Sequence, residues 1–175
     1  LKLLCREQGK ELDCVAVARE KEAEYLPLVG QVEPINTVVG VARAYHGRIP
    51  LAVASGGTQA VIGHVLERLG IRHLFTAIVT SEDVQRQKPA PDIFLEAARR
   101  IGVEPRFCRA YEDTDLGMQA IRAAGMEAVD VRTLVANDLE AVQAELDKKL
   151  PAAMQNSGYI LQVDHSVPYQ VDYET

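Results

Sequence analysis

Cysteine is scarce in this chain and shows no pairing pattern. Cys5, Cys14 and Cys108 are three in number, and no C-x-x-C occurs. An odd count without a pair reads as ordinary thiols in a reducing compartment, so a cytoplasmic setting is expected. The four histidines, His46, His64, His73 and His165, lack the spacing of zinc ligands and read as surface or boundary residues. No run of about 18 apolar residues is present, which excludes a continuous hydrophobic membrane-spanning helix. No Lys/Arg cluster stands out and the net charge is -6, so neither nucleic acid nor an anionic membrane is an expected partner. The chain opens on Leu1 rather than Met, so the lack of a leader-like stretch excludes little. What is present is 175 residues, 47% hydrophobic, enough for one compact domain with a substantial core.

The periodicity alternates along the chain. Val15, Ala18, Glu22 and Tyr25 fall on a helical period within a charged run, loosened at Pro27 and Gly30. Pro34 opens a second helical pattern carried by Ile35, Val38, Val39, Ala42 and Tyr45 and ended by Gly47. Pro50 to Ala54 is a short apolar run of the kind that forms a buried parallel strand. A helix follows over Gln59 to Leu69, then a strand over Leu74 to Thr80 and a helix over Ile93 to Ile101. Phe107 to Tyr111 is the next strand, Met118 to Ala124 a helix, Met126 to Val131 a strand, and Leu139 to Leu150 a last helix behind Asn137-Asp138. Strand and helix in alternation predict an α/β fold, a Rossmann-like parallel sheet with helices on both faces.

Three strand-to-helix turns carry chemistry. Ser55-Gly56-Gly57-Thr58 follows the first strand; a hydroxyl, two glycines and a helix amino end can cradle a phosphate. Lys88-Pro89-Ala90-Pro91-Asp92 holds a lysine in a stiff turn, from which it can meet a phosphate as a point charge. Glu112-Asp113-Thr114-Asp115 puts three acids after the third strand. The first two can share a hard cation such as Mg²⁺, directly or through water, while Asp115 is expected to cap the following helix. Each turn has a plainer reading on its own: a Ser/Gly helix cap, a solvated lysine, acids at a solvated helix start. Right-handed crossovers place all three at one edge, the carboxyl ends of the strands, where open α/β sheets bind ligands.

In these motifs the chain resembles the haloacid dehalogenase-like (HAD) superfamily, in the branch of beta-phosphoglucomutases and fructose-1-phosphatases. Leu51 to Gly57 is similar to the family's second motif, Lys88 to Phe94 to its third, and Tyr111 to Gly117 with Ala120 to Met126 to its fourth. The resemblance implies an Mg²⁺-dependent phosphatase or phosphomutase acting on a small phosphorylated metabolite, such as a sugar phosphate. By the same resemblance Ser55 and Lys88 are catalytic, Ser55, Gly56, Gly57 and Lys88 bind substrate, and Glu112 and Asp113 hold the metal. Phosphoryl transfer needs charge neutralisation and positioning above all, which these residue types supply. The expected organisation is a remnant of a helical cap over 1–30, a HAD-like core over 31–150 and a tail over 151–175.

One part of the family pattern is missing. Its first motif is a strand ending in Asp-x-Asp that supplies the nucleophile and the acid–base. The only Asp pair with that spacing here is Asp113 and Asp115, which belongs to the metal motif. A lost amino-terminal segment is the expected explanation, and the chain as given is expected to be inactive. The alternatives are a non-catalytic phosphate- or partner-binding domain and a metal-free haloacid dehalogenase, the latter disfavoured by the paired acids. In the family's sheet the first-motif strand lies between the strands ending at Ser55 and near Glu112. The tail is expected to lie outside the core, with that slot closed or poorly satisfied. The alternative is that Tyr159 to Val163 fills it, bringing Asp164 and Ser166 towards the site.

Overall fold

The computed structural model describes residues 9, 13–133 and 158–161. Helix α1, Cys14–Tyr25, starts at Asp13, whose carboxylate accepts the N–H groups of Val15 (2.9 Å) and Ala16 (3.1 Å). A 3-10 turn over Leu26–Gln31 follows, and Tyr25 and Val29 pack on Val61 and Val65. Among the described side chains of α1, Tyr25 at its end is buried. Val15, expected on the apolar stripe, is 56% exposed, so residues 13–31 form a satellite to the core.

The remaining helices are α2 (Asn36–Tyr45), α3 (Gln59–Arg68), α4 (Asp92–Ile101) and α5 (Asp115–Ala123). The strands are β1 (Leu51–Ala54), β2 (Ala77–Val79), β3 (Cys108–Glu112), β4 (Glu127–Asp130) and β5 (Gly158–Leu161). Two details differ from the sequence reading. Ile35 is the exposed N-cap of α2 rather than part of its buried stripe, and Leu74 lies in a 3-10 turn ahead of a shorter β2. The predicted helix over 139–150 lies outside the described residues. Among the described residues no helix is long and apolar enough to cross a membrane.

All strands are parallel and run in the order β2-β1-β5-β3-β4. The period-2 alternation of β1 sorts its side chains between two cores. Leu51 and Val53 join Val38, Val41, Tyr45, Ile62 and Leu66, from α2 and α3. Ala52 and Ala54 join Ile93, Phe94 and Ala97 of α4 and Ile121 of α5. The small alanines of β1, with Ala110 of β3, let α4 and α5 approach that face closely.

The tail departs from expectation. β5 lies between β1 and β3, pairing Leu51 with Tyr159 and Val53 with Leu161 on one side, and Cys108 with Gly158 and Tyr111 with Leu161 on the other. The physical reason is that both flanking strands are buried. Left apart, each would bury a row of unpaired N–H and C=O groups, which recruits a β-capable run even from far along the chain. Asp164 and Ser166 lie outside the described residues, so their suggested placement near the site is not described.

Two predictions follow from this architecture. Ile160→Pro removes a ladder donor in a central strand and should destabilise the chain by about 1–3 kcal/mol, the cost of a buried acceptor left without its donor; an unchanged urea midpoint would show that β5 contributes nothing. The second concerns Glu96, whose carboxyl is lowered to about 2 by hydrogen bonds from Arg99 and Arg100. Because that value lies below the ordinary one, the pair's stability is present above about 4.5 and is lost as pH falls towards about 2. Glu96→Gln should therefore flatten the loss of thermal stability over that acid window, and a parallel acid profile in the variant would contradict it.

Candidate active site

The candidate residues gather at the carboxyl edge of the sheet. Ser55 directly follows β1 and is fully buried, and its N–H extends the β1–β2 ladder to the Val79 carbonyl at 2.9 Å. Its hydroxyl accepts the Gly57 N–H at 3.2 Å, closing the turn into α3. A Cβ at Gly56 would meet no protein atom within 4 Å, so the fold itself does not demand glycine there. Thr58 is the N-cap of α3, and its side chain makes no capping bond.

Glu112 ends β3 with 1% exposure. Its Oε1 accepts three bonds: from the N–H of Asp113 (3.1 Å), the N–H of Thr114 (2.9 Å) and the hydroxyl of Thr114 (2.7 Å). Its Oε2 accepts the Lys88 ammonium at 3.0 Å, with side-chain exposures of 12% for the lysine and 0% for the glutamate. Lys88 comes from the loop before α4, and its ammonium lies 5.3 Å from the centre of the Phe94 ring. The stiff turn thus delivers the lysine to the acidic motif, and the structure brings these two predicted residues into contact. Ser55 follows β1 and Glu112 ends β3, with β5 between the two strands.

The two adjacent acids differ. Glu112 is buried and both its oxygens are taken by protein donors, whereas Asp113 is partly exposed. Mg²⁺ keeps several waters and uses one or two carboxylates, so Asp113 suits direct ligation and Glu112 suits contact through water. Among the described residues no group of three or more His, Cys, Asp or Glu side chains could hold a metal.

The α5 cap is not the one expected. Thr114 is the N-cap and its hydroxyl accepts the Gly117 N–H at 3.1 Å. Asp115 is the first helical residue and pairs with Arg132 at 2.8 Å. Both residue types cap well, and the extended backbone of Thr114 decides the matter. Thr114 and Gly117 are site residues that sequence reasoning missed. A Cβ on Gly117 would fall on the Glu112 carboxylate, so glycine is what lets the start of α5 close over that side chain. The available signal was a Thr three residues ahead of a Gly, directly after the acid pair. A further contact carried no local signal: Glu82 Oε2 accepts the Gln59 N–H at the start of α3 at 2.6 Å.

Comparison with known proteins agrees with this geometry. Residues 2–125 match the family described as haloacid dehalogenase-like hydrolase. The chain is similar to the fructose-1-phosphate phosphatase YqaB of Escherichia coli (strain K12), 50% identical over 125 residues, covering 71% of this chain and 66% of that protein. It is 36% identical over 115 residues to the beta-phosphoglucomutase of Bacillus subtilis (strain 168), covering 63% of this chain and 50% of the other. The chain thus spans about two-thirds or less of these relatives. The crystal structure of CbbY from Rhodobacter sphaeroides in complex with phosphate superimposes with a TM-score of 0.57 at 26% identity, over 67% of this chain and 55% of that one. A hydrolase from Pseudomonas syringae shares the fold with a TM-score of 0.64 at 23% identity, over 93% of this chain and 71% of that one.

The Thr114–Glu112–Lys88 relay makes a testable demand. Thr114→Val should cost about 1.5–3 kcal/mol, the net worth of a hydrogen bond to a charged group, while Thr114→Ser should stay close to the unmodified chain. Gly117→Ala should cost about as much or more by overpacking. Urea denaturation measures all three; equal stability of the Val and Ser variants would remove the hydroxyl from the account.

Proposed function

The chain belongs to the haloacid dehalogenase-like hydrolases, and from that premise we propose that it is the phosphate- and Mg²⁺-binding part of an enzyme acting on small sugar phosphates. The observation that carries this reading is the buried Lys88–Glu112 pair at the strand tips. Glu112 fixes where the charge of the Lys88 ammonium sits. Lys88 then neutralises phosphate charge, and Ser55 with Gly56 and Gly57 forms the wall against which the phosphoryl group rests. Asp113 holds Mg²⁺ and Glu112 reaches it through water. The ion, when bound, supplies further neutralisation of phosphate oxygens. The relatives named as a fructose-1-phosphate phosphatase and a beta-phosphoglucomutase, and the phosphate complex of CbbY, support a sugar phosphate as the ligand. Residues 1–30 are proposed as the remnant of a cap.

Among the described residues no Asp-x-Asp closes a strand in the manner of the family's first motif; Asp113 and Asp115 have the spacing, but Asp115 is turned to Arg132. The chain as given is therefore proposed to bind without turning over. A second reading, a non-catalytic phosphate-binding domain, draws support from β5, which takes the central position with Gly158–Leu161.

Calorimetry tests the site. The chain should bind Mg²⁺ and inorganic phosphate, and Asp113→Asn should weaken Mg²⁺ binding about tenfold or more. Equal Mg²⁺ affinity in the variant would remove the metal role. With p-nitrophenyl phosphate or fructose 1-phosphate, turnover near about 1–10 per second would mean that the attacking group has been missed.

A further inference from the structure

The opposite edge of the sheet, where the strands begin, carries a groove that the phosphate site does not use. It encloses about 390 Å³ between the loop from α2 to β1 and the 3-10 turn Arg72–Leu74 ahead of β2. That volume is in the range of small-molecule sites. Gly47, at a φ of 75°, turns the chain from α2 towards β1 and leaves His46 and Arg48 on one wall. His73, Phe75 and Thr76 belong to the other. The two walls are tied together. The Thr76 N–H donates to the Leu51 carbonyl at 2.8 Å, and His46 Nδ1 lies 3.2 Å from the Leu74 carbonyl. A carbonyl only accepts, so Nδ1 carries the hydrogen and donates it. The His46 and His73 rings meet edge to face with their centres 5.7 Å apart.

The lining is one-sided in charge. Arg48 lines the groove, and among the described residues no Asp or Glu does. Arg86, Arg99, Arg100, Arg109 and Arg132 each meet a carboxylate. Among the described residues Arg48 meets none; its guanidinium carbon lies 5.3 Å from the centre of the buried Tyr45 ring. A guanidinium held against a ring is restrained in place and keeps its N–H groups for an anion.

We propose that this groove is a second ligand site, for a small aromatic anion whose carboxylate or phosphate head is held by Arg48. The planar fork of a guanidinium matches either head. Thr76 and His73 add donors beside it, and Pro50, Phe75 and the imidazole rings supply a flat wall for the ligand's body. A cavity that combines apolar walls with a few convergent polar groups is the common form of such sites. The site is independent of the Lys88–Glu112 pair, which stands at the other end of the strands.

Amide spectra of the full chain, titrated with benzoate and with phenylphosphonate, test the proposal. The two probes share a ring and differ in the head. Binding should shift the Gly47 and Thr76 amides, and benzoate should leave the Gly56 amide in place. Response to only one probe supports the site and identifies its head group. Arg48→Gln, a change at an exposed side chain, should weaken benzoate binding about tenfold or more, whereas Ser55→Ala should leave it unchanged. Absence of shifts at Gly47 and Thr76 with both probes overturns the inference. So does equal benzoate affinity in Arg48→Gln and the unmodified chain. Neither result bears on Mg²⁺ or inorganic phosphate binding at the other edge.

Discussion

A carboxylate buried at a strand tip must be matched by donors, and Glu112 sets that demand for the whole carboxyl edge. Its own chain answers on one oxygen, through the amides of Asp113 and Thr114 and the Thr114 hydroxyl. The other oxygen is answered by Lys88, from a loop between β2 and α4. Several local features follow from this one requirement. Gly117 has no side chain because the carboxylate lies where one would go. Thr114 serves both as the cap of α5 and as a donor to Glu112. Removing one partner of a buried pair leaves an uncompensated charge, at a cost of about 3–5 kcal/mol. The pair is therefore a structural joint between the β2–α4 loop and β3.

The same requirement divides labour between two acids that look equivalent in the sequence. Glu112 faces inward and is spent on holding Lys88, whereas Asp113, one residue on, is partly exposed. Alternation along an extended strand end separates neighbours in this way. An acid pair at such a position thus supplies one buried anchor and one partly exposed carboxylate, a distinction that composition cannot make.

Much of this was legible in the sequence. The strand–helix alternation, the positions of β1, β3 and β4, and the meeting of Lys88 with Glu112 at one edge came from local patterns and the handedness of crossovers. Local patterns fell short where two candidates were locally equivalent. Thr114 and Asp115 are both good caps, and backbone geometry chose between them. They also fell short where the deciding term was distant. Nothing near Glu82 announces Gln59 as its partner. The alternation of Tyr159 to Val163 is imperfect and points to a tail outside the core, yet two buried strand edges on other parts of the chain drew Gly158–Leu161 between them. The pull came from unpaired backbone groups rather than from side-chain pattern.

The position of β5 sets an order of events during synthesis. The strand at the centre of the sheet is the last of the five to leave the ribosome, so β1 with β2 and β3 with β4 emerge as two separate parallel pairs. Among the described residues the two pairs are joined through the sheet by residues 158–161. Contacts between residues this far apart in sequence are slow to form and expose strand edges to other chains in the meantime. Within the described residues the ladder that joins the two pairs is thus closed across a long stretch of sequence, and the inner edges of β1 and β3 are what a chaperone has most to protect.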